Sequence, residues 1–139
     1  MLTGTHTPKL DDKGRLFLPA KFREEMKEGL VITRGQDRSL EIRTAAAFED
    51  FATRMRETTD PRRRAYNRML FALAHEAVPD KQGRISLTPE LREYAGLDRE
   101  CVVIGVRTKL EVWKPETWAE YTAAQEEAFA NLSEEIFFD

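Results

Sequence analysis

The pattern of hydrophobic and polar residues in the first half of the chain predicts four short strands. These segments are residues 7–10, 16–18, 30–33 and 40–43. Asp11 and Gly14 lie between the first two. Both favour a tight turn, because Asp accepts backbone hydrogen bonds and Gly tolerates a positive φ angle. The pattern therefore predicts a hairpin followed by a second pair of strands.

Helical periodicity separates and follows these strands. A short helix is predicted over residues 20–28, after Pro19, which suits a first helical turn, and before Gly29, which suits a helix end. A second helix is predicted to begin after Thr44, a residue type that caps helices well, and to reach about Glu57. The first half thus combines strands and helices in close alternation.

The second half repeats this order of elements and part of the sequence itself. Asp11-Asp12-Lys13-Gly14-Arg15-Leu16 is echoed by Asp80-Lys81-Gln82-Gly83-Arg84-Ile85, 69 positions later. The second copy predicts strands over residues 85–87, 102–105 and 110–113, a short helix from Thr88 to Gly96, and a longer helix from Pro115 to about Leu132. Two copies indicate a duplicated module, because solenoids need three or more.

The repeat predicts an α+β protein built from two modules. We assign the first module to residues 5–53 and the second to residues 77–122. A connector over residues 54–76 is expected to be helical, and residues 123–139 form an acidic C-terminal extension. A module of about sixty residues buries too little surface to be stable by itself. We therefore expect the modules to interlock as a barrel-like, swapped-hairpin pseudo-dimer with one core.

The charge is distributed unevenly along the chain. The formal net charge is −3, but all 22 basic residues lie at or before Lys114, where they face 18 acidic residues and give a net +4. The remainder carries −7. Such asymmetry is typical of proteins whose basic part contacts nucleic acid. A solvated acidic helix on an ordinary enzyme would have the same asymmetry, so charge alone leaves both interpretations open.

Arg15 and Arg84 are the strongest candidates for binding chemistry. Each follows a turn glycine, Gly14 or Gly83, so each is expected to project from a hairpin tip. A guanidinium group matches phosphate oxygens or the O6/N7 edge of guanine. A β-ribbon carrying such a group can enter the major groove of DNA. Two cationic loops on one chain therefore predict a bidentate reader of an anionic polymer.

Other basic residues would add attraction to phosphate groups. Lys13 and Lys81 lie inside the two turns, and Lys9 and Arg23 lie nearby in sequence. The basic run at residues 62–64 is less specific, since a solvated helix face or a partner for the acidic tail would have the same composition. We assign the phosphate contacts first to the turn lysines.

A purely structural interpretation of the two turns is also open. Asp11 could pair with Arg15, and Asp80 with Arg84, only to hold each turn together. Exposed ion pairs of this kind contribute little stability. The structural and functional interpretations are compatible, because each Asp can hold its Arg in a working orientation.

The sequence contains few residues in the arrangements that metal sites or catalytic sites require. The only histidines are His6 and His75, and no Cys-x-x-Cys or His-x-x-x-His spacing occurs, which argues against a zinc site. Cys101 opens an apolar strand, where a thiol is usually inert packing. No apolar run reaches the ~18 residues of a membrane span. We therefore expect no metal, cofactor, catalytic residue or membrane contact, and a cytoplasmic location.

The repeated motif resembles the MraZ family of bacterial transcriptional regulators. The resemblance rests on Asp11-x-x-Gly14-Arg15-Leu16-x-Leu18-Pro19-Ala20-Lys21-Phe22-Arg23 and on Asp80-Lys81-Gln82-Gly83-Arg84-Ile85 with Leu91-Arg92-Glu93-Tyr94-Ala95-Gly96-Leu97. It extends from Gly4 to about Tyr121. The two turns differ at Asp12-Lys13 against Lys81-Gln82, which leaves open whether both read bases or one mainly grips phosphate.

The resemblance implies a fold and a function. It implies tandem SpoVT-AbrB domains and a closed ring of subunits, of the octamer or dodecamer class. It also implies nucleoid-associated binding to double-stranded DNA at short, G-containing direct repeats upstream of the protein's own division and cell-wall operon. The family's site positions fall on Asp11, Arg15, Asp80 and Arg84. Regulation would be mainly repression.

Two other functions compete with this one. AbrB-type domains also occur in antitoxins, whose main partner is another protein. Such antitoxins usually carry one domain copy and a disordered tail, whereas this chain has two copies and a helical end. An enzyme that uses Cys101 or a carboxylate is the third and weakest hypothesis.

Overall fold

The two halves of the chain fold with the same order of elements. The computed structural model describes residues 1–55 and 57–132. Within these ranges the strands are Thr5–His6 (β1), Arg15–Phe17 (β2), Leu30–Arg34 (β3), Leu40–Thr44 (β4), His75–Ala77 (β5), Arg84–Ser86 (β6), Val102–Val106 (β7) and Lys109–Trp113 (β8). The α-helices are Ala20–Met26 (α1), Ala45–Thr53 (α2), Pro61–Ala72 (α3), Pro89–Ala95 (α4) and Pro115–Ala130 (α5).

The local sequence explains where the helices begin and end. Thr44 Oγ1 accepts the Ala47 N–H at 3.0 Å, and Thr88 Oγ1 accepts the Leu91 N–H at 3.2 Å. Helices α3, α4 and α5 each start with proline, whose fixed φ and missing N–H suit that position. Gly96 ends α4 in the left-handed conformation, at φ 65°.

Strands from the two halves are interleaved. Antiparallel strands form a six-stranded sheet in the order β1-β7-β8-β4-β3-β5, in which β4 pairs with β8 and β3 pairs with β5. A separate ribbon joins β2 to β6, with Leu16 opposite Ile85. The pairs β1–β7, β4–β8, β3–β5 and β2–β6 join the first half of the chain to the second, whereas β3–β4 and β7–β8 each pair within one half. The predicted α+β fold with interlocked modules is confirmed.

One hydrophobic core is shared by both halves. It contains Leu16, Leu18, Phe22, Ile32 and Ile42 from the first half and Ile85, Leu87, Leu91, Val103 and Leu110 from the second. Burial of apolar surface is the dominant favourable term in folding. Because both halves supply that surface, the stability of each depends on the other.

Helices cover the outer face of the six-stranded sheet. The Arg43 guanidinium lies 3.9 Å from the Phe51 ring centroid, which places α2 over β4. Trp113 of β8 and Trp118 of α5 meet edge to face, with ring centroids 5.1 Å apart. Glu41 and Arg43 form a buried ion pair of 2.9 Å on the same face. Helices α2 and α5 therefore lie over different strands.

The predicted hairpin between residues 7–10 and 16–18 is wrong, because the second of these segments pairs mainly with β6. The first strand is Thr5–His6, which pairs with β7, and residues 7–10 contribute only isolated bridges, such as Leu10 with Leu16. Pro8 has no N–H, so it cannot continue a ladder. Its carbonyl instead accepts the Cys101 N–H at 3.1 Å. The strand after the turn consequently pairs across the repeat, with β6.

Two helices are shorter than the periodicity predicts. Helix α1 ends at Met26, two residues before the predicted end, and α2 ends at Thr53 rather than near Glu57. The Thr53 hydroxyl donates back to the Asp50 carbonyl at 2.8 Å, a local bond that competes with the regular helical pattern. Helix α3, Pro61–Ala72, lies within the segment that the sequence analysis assigned to the connector. None of the described helices is both long enough and apolar enough to cross a membrane.

Candidate nucleic-acid interface

A single carboxylate holds the first candidate turn together. Asp11 Oδ1 accepts the backbone N–H groups of Lys13 and Arg15, both at 2.9 Å. Asp11 Oδ2 accepts Arg15 Nε–H at 2.7 Å. Gly14 adopts φ 75° between them, a conformation that residues with a Cβ adopt at a cost. The sequence folds this way because a short Asp side chain can reach the backbone two residues ahead.

The second turn repeats the first bond for bond. Asp80 Oδ1 accepts the N–H groups of Gln82 and Arg84 at 2.9 Å, and Asp80 Oδ2 accepts Arg84 Nε–H at 2.7 Å. Gly83 has φ 77°. The sequence repeat, 69 residues apart, therefore forms the same hydrogen bonds in both turns.

The β2–β6 ribbon brings both arginines onto one outward face. Leu16 and Ile85 are buried at the centre of the two strands. Successive side chains of a strand point to opposite faces. Their neighbours therefore form the outer face, which carries Arg15, Phe17, Arg84 and Ser86.

Contacts across the ribbon link the two repeats. Phe17 lies opposite Arg84, whose guanidinium carbon is 5.8 Å from the Phe17 ring centroid. Arg84 Nη1 also lies 4.0 Å from Asp11 Oδ2, the carboxylate of the other turn. The two Asp-x-x-x-Arg turns therefore form one continuous site. Phe17 was missed as a site residue because only the pairing of β2 with β6 reveals its neighbours.

Both arginines are oriented but still accessible. The Arg15 side chain is 27% exposed and that of Arg84 is 21% exposed. Within the described residues each donates Nε–H only to its own Asp, so the η nitrogens make no hydrogen bond. Arg15 and Arg84 are the first residues of β2 and β6, directly after the two turns. A planar group held in this way can present two parallel donors to an anion or a guanine edge.

The turn carboxylates are stabilised in their charged form. The backbone N–H of Arg15 lowers the pKa of Asp11, and the Arg15 guanidinium and the Lys13 N–H lower it further, although partial burial opposes them. The same groups of the second turn, led by the Arg84 N–H, lower the pKa of Asp80. Both carboxylates are thus charged at neutral pH and keep their arginines in place.

Two further arginines support the turns from the opposite repeat. Arg23 donates Nε–H to the Leu18 carbonyl at 2.8 Å and packs against Gly83. Arg92, its counterpart 69 positions later, packs against Gly14. Arg23, expected as a phosphate contact, is therefore engaged with the neighbouring turn. The repetition of Arg at both positions was the sequence signal for this role.

The lysines lie at the margins of the site. Lys13 and Lys81 are exposed in their turns, one residue before Gly14 and two residues before Gly83. Lys9 forms an isolated backbone bridge with Glu100 and is not part of the ribbon. The structure thus groups the turn residues together and leaves Lys9 outside them.

His6 and Cys101, which were considered for metal binding or catalysis, pack against other parts of the fold. His6 packs edge to face on Phe22 with ring centroids 5.2 Å apart. Burial raises the pKa of the Cys101 thiol to about 11, which disfavours the reactive thiolate. No group of three or more His, Cys, Asp or Glu residues that could hold a metal ion occurs in the described parts of the chain.

The fold and site define a class: an intramolecular pseudo-dimer of two AbrB-like modules, with one Asp-x-x-x-Arg turn per module on a shared ribbon. The sequence model of the family described as "MraZ protein, putative antitoxin-like" matches the chain twice, over residues 1–69 and 70–138. The two matches have the same 69-residue period as the repeat. The chain belongs to the MraZ family, as its motifs predicted.

Curated relatives are similar over nearly their whole length. "Transcriptional regulator MraZ" of Thermobifida fusca (strain YX) is 49% identical over 138 residues, covering 98% of this chain and 96% of the relative. The protein of the same name from Cutibacterium acnes (strain DSM 16379 / KPA171202) is 52% identical over 139 residues, covering 99% and 98%. That of Saccharopolyspora erythraea is 52% identical over 138 residues, covering 98% and 96%.

Proposed function

We propose that this protein is a DNA-binding transcriptional regulator, and mainly a repressor of its own division and cell-wall operon. The names of its relatives support regulation of transcription. The same names favour a regulator over an enzyme. We further propose that it acts in the cytoplasm, associated with the nucleoid, through modules at residues 5–53 and 77–122.

The observation that carries the proposal is the outer face of the β2–β6 ribbon. Arg15 and Arg84 lie on it together, each fixed through Nε by a charged Asp. Within the described residues neither donates a hydrogen bond from its η nitrogens, and Arg84 Nη1 lies 4.0 Å from Asp11 Oδ2. A two-stranded ribbon fits the major groove. An Arg that bonds both O6 and N7 of guanine contributes roughly 1–3 kcal/mol of discrimination against other bases. The arginines would therefore read short G-containing repeats.

The lysines have a different role in the proposal. Lys13, Lys81, Lys9 and Arg62 would bind phosphates, a contribution that is independent of sequence and weakened by salt. A closed ring of subunits, of the octamer or dodecamer class, would present several ribbons to direct repeats in the promoter. Weak contacts by single ribbons would then add through effective concentration.

A mobility-shift titration across a salt series tests these roles, with the promoter repeats and a scrambled duplex as probes. We expect Arg15→Ala and Arg84→Ala to remove the preference for the repeats. Lys13→Ala is the matched control: it should weaken binding to both duplexes equally and reduce the salt slope by about 1. Equal losses on both duplexes for the arginine variants would contradict the assignment.

The family description "putative antitoxin-like" favours a second candidate, in which the main partner is another protein. A small protein that co-purifies at fixed stoichiometry, and whose binding survives Arg15→Ala and Arg84→Ala, would support that candidate. If no such protein co-purifies and the same variants lose their preference for the repeats, the result would support DNA recognition.

A further inference from the structure

The outer face of the β2–β6 ribbon carries four side chains in a two-by-two arrangement. Arg15 lies opposite Ser86, and Phe17 lies opposite Arg84. Because alternate residues of a strand share a face, Arg15 and Phe17 are neighbours along β2, as Arg84 and Ser86 are along β6. The two arginines therefore occupy one diagonal of the face, and Phe17 and Ser86 occupy the other.

The two repeats agree in their arginines but differ in the residue two positions later. Phe17 and Ser86 are separated by the same 69 positions as Arg15 and Arg84. The first has a large apolar ring, whereas the second has a small side chain that ends in a hydroxyl group. The ribbon therefore departs from two-fold symmetry on the face that would contact DNA.

Phe17 is exposed, although its neighbours in the chain are buried. It is 38% exposed, whereas the exposure of Leu16 and Leu18 is 0%. A single exposed apolar side chain is ordinary on a protein surface, but Phe17 lies beside two oriented guanidinium groups. Its ring centroid is 5.8 Å from the guanidinium carbon of Arg84. An apolar surface at this place is available for contact with an apolar group of the DNA.

The major groove presents one apolar group, the 5-methyl group of thymine. Phe is among the residues that contact this methyl group. Side chains directly opposite each other on an antiparallel ribbon have Cβ atoms about 4.5–5.5 Å apart, which is between one and two base-pair steps of about 3.4 Å. A methyl group in contact with Phe17 would therefore lie within two base pairs of a guanine bound by Arg84.

We propose that Phe17 contacts the 5-methyl group of a thymine within two base pairs of the guanine bound by Arg84, and that this contact fixes the orientation of the ribbon on each repeat. Ser86 offers only a hydroxyl group beside Arg15, and a hydroxyl group can bond to any base. The inference deepens the proposed function and rests on its assignment of DNA reading to the ribbon.

A fixed orientation would let a pseudo-symmetric ribbon read direct repeats. Two-fold symmetry in a protein is matched by a palindromic site on DNA, whereas direct repeats require every ribbon to lie in the same direction. The Phe17 contact makes the two directions unequal in affinity. Burial of one methyl group corresponds to a difference of about fourfold for each ribbon.

Deoxyuridine in place of thymidine tests the contact, since it removes the 5-methyl group and leaves base pairing in place. Mobility shift compares promoter repeats that contain thymine or uracil with a scrambled duplex. We expect wild type to bind the uracil repeats about fourfold more weakly, the loss of one buried methyl group. Phe17→Ala should bind both repeats equally. Phe71→Ala is the matched control: its ring is 40% exposed on α3, and this variant should keep the fourfold difference.

Placing uracil on one side of the guanines in every repeat tests the orientation. Uracil on one side should reproduce the whole loss of affinity, and uracil on the other side should have no effect. Ser86→Phe should make binding sensitive to the second side as well, because it supplies a ring beside Arg15.

The comparison of thymine with uracil uses wild type, so it does not depend on how any variant folds. Equal binding of the two repeats by wild type, a fourfold difference that persists in Phe17→Ala, or equal sensitivity on both sides of the guanines would overturn the proposal. If wild type then still prefers the repeats to the scrambled duplex, the proposed function stands without Phe17. No preference of wild type for the repeats would refute the proposed function, and this inference with it.

Discussion

At the scale of residues, the site depends on two carboxylates that each organise a turn and an arginine. The sequence alone indicated both the pairing and its compatibility with function, because Asp11 and Arg15, and their repeats Asp80 and Arg84, are all polar turn residues. It could not indicate that Arg84 also approaches Asp11, to 4.0 Å. That contact crosses between repeats, and its cause is a strand pairing with no local sequence signal.

The turn carboxylates should make stability depend on pH in acid. Folding lowers the pKa of Asp11 and Asp80 from 3.8, so their stabilisation is complete above that value and disappears as pH falls through the folded pKa. We expect the double variant Asp11→Asn/Asp80→Asn to have a lower unfolding temperature than wild type at pH 7. The difference should persist to about pH 5 and shrink below about pH 4. A difference of equal size at pH 3 would contradict this origin.

At the scale of elements, the ribbon forms because β2 of the first repeat pairs with β6 of the second. Strands of three residues have too short a pattern to specify a partner, so the sequence at residues 7–10 and 16–18 predicted a local hairpin equally well. Pro8 was the residue that argued against a strand at 7–10, because proline has no N–H to donate to a neighbouring strand. The helix starts were predictable, since Thr44, Thr88 and the prolines act locally.

The contact of each turn glycine with an arginine from the other repeat gives a prediction at this scale. Gly83→Ala should cost about 1–2 kcal/mol for a left-handed residue with a Cβ and should also displace Arg23, which a Cβ would strike. Gly96→Ala is the matched control. Gly96 has φ 65° and only Lys114 within reach, at 3.5 Å.

Denaturant unfolding measures both variants, and mobility shift measures their DNA preference. We expect Gly83→Ala to lose more stability than Gly96→Ala and to lose repeat preference, which Gly96→Ala should keep. Identical behaviour of the two variants would mean that the cross-repeat arginine contact has no role in holding the turn.

At the scale of the whole molecule, both halves contribute residues to one hydrophobic core. The duplication in the sequence predicted a shared core, because a module of this size is marginal by itself. The extent of the interleaving was not predictable, since the six-stranded order depends on long-range pairings such as β4 with β8.

The shared core predicts coupled unfolding. Leu16→Ala in the first half and Ile85→Ala in the second remove buried side chains that face each other across the ribbon. Each should cost about 2–5 kcal/mol and leave one transition that fluorescence and circular dichroism report at the same denaturant concentration. Two separated transitions, with only one sensitive to each change, would mean that the halves fold independently.

The central claim is that Arg15 and Arg84 read guanines, and replacing guanine by 7-deazaguanine in the direct repeats tests it most directly. The substitution removes N7 and leaves O6 and base pairing in place, so an arginine loses one of its two bonds. We predict that wild type binds the modified repeats about 5- to 150-fold more weakly than the normal ones, the equivalent of roughly 1–3 kcal/mol. Arg15→Ala/Arg84→Ala should bind both duplexes equally. Equal binding of both duplexes by wild type, with its preference over scrambled DNA intact, would contradict the account.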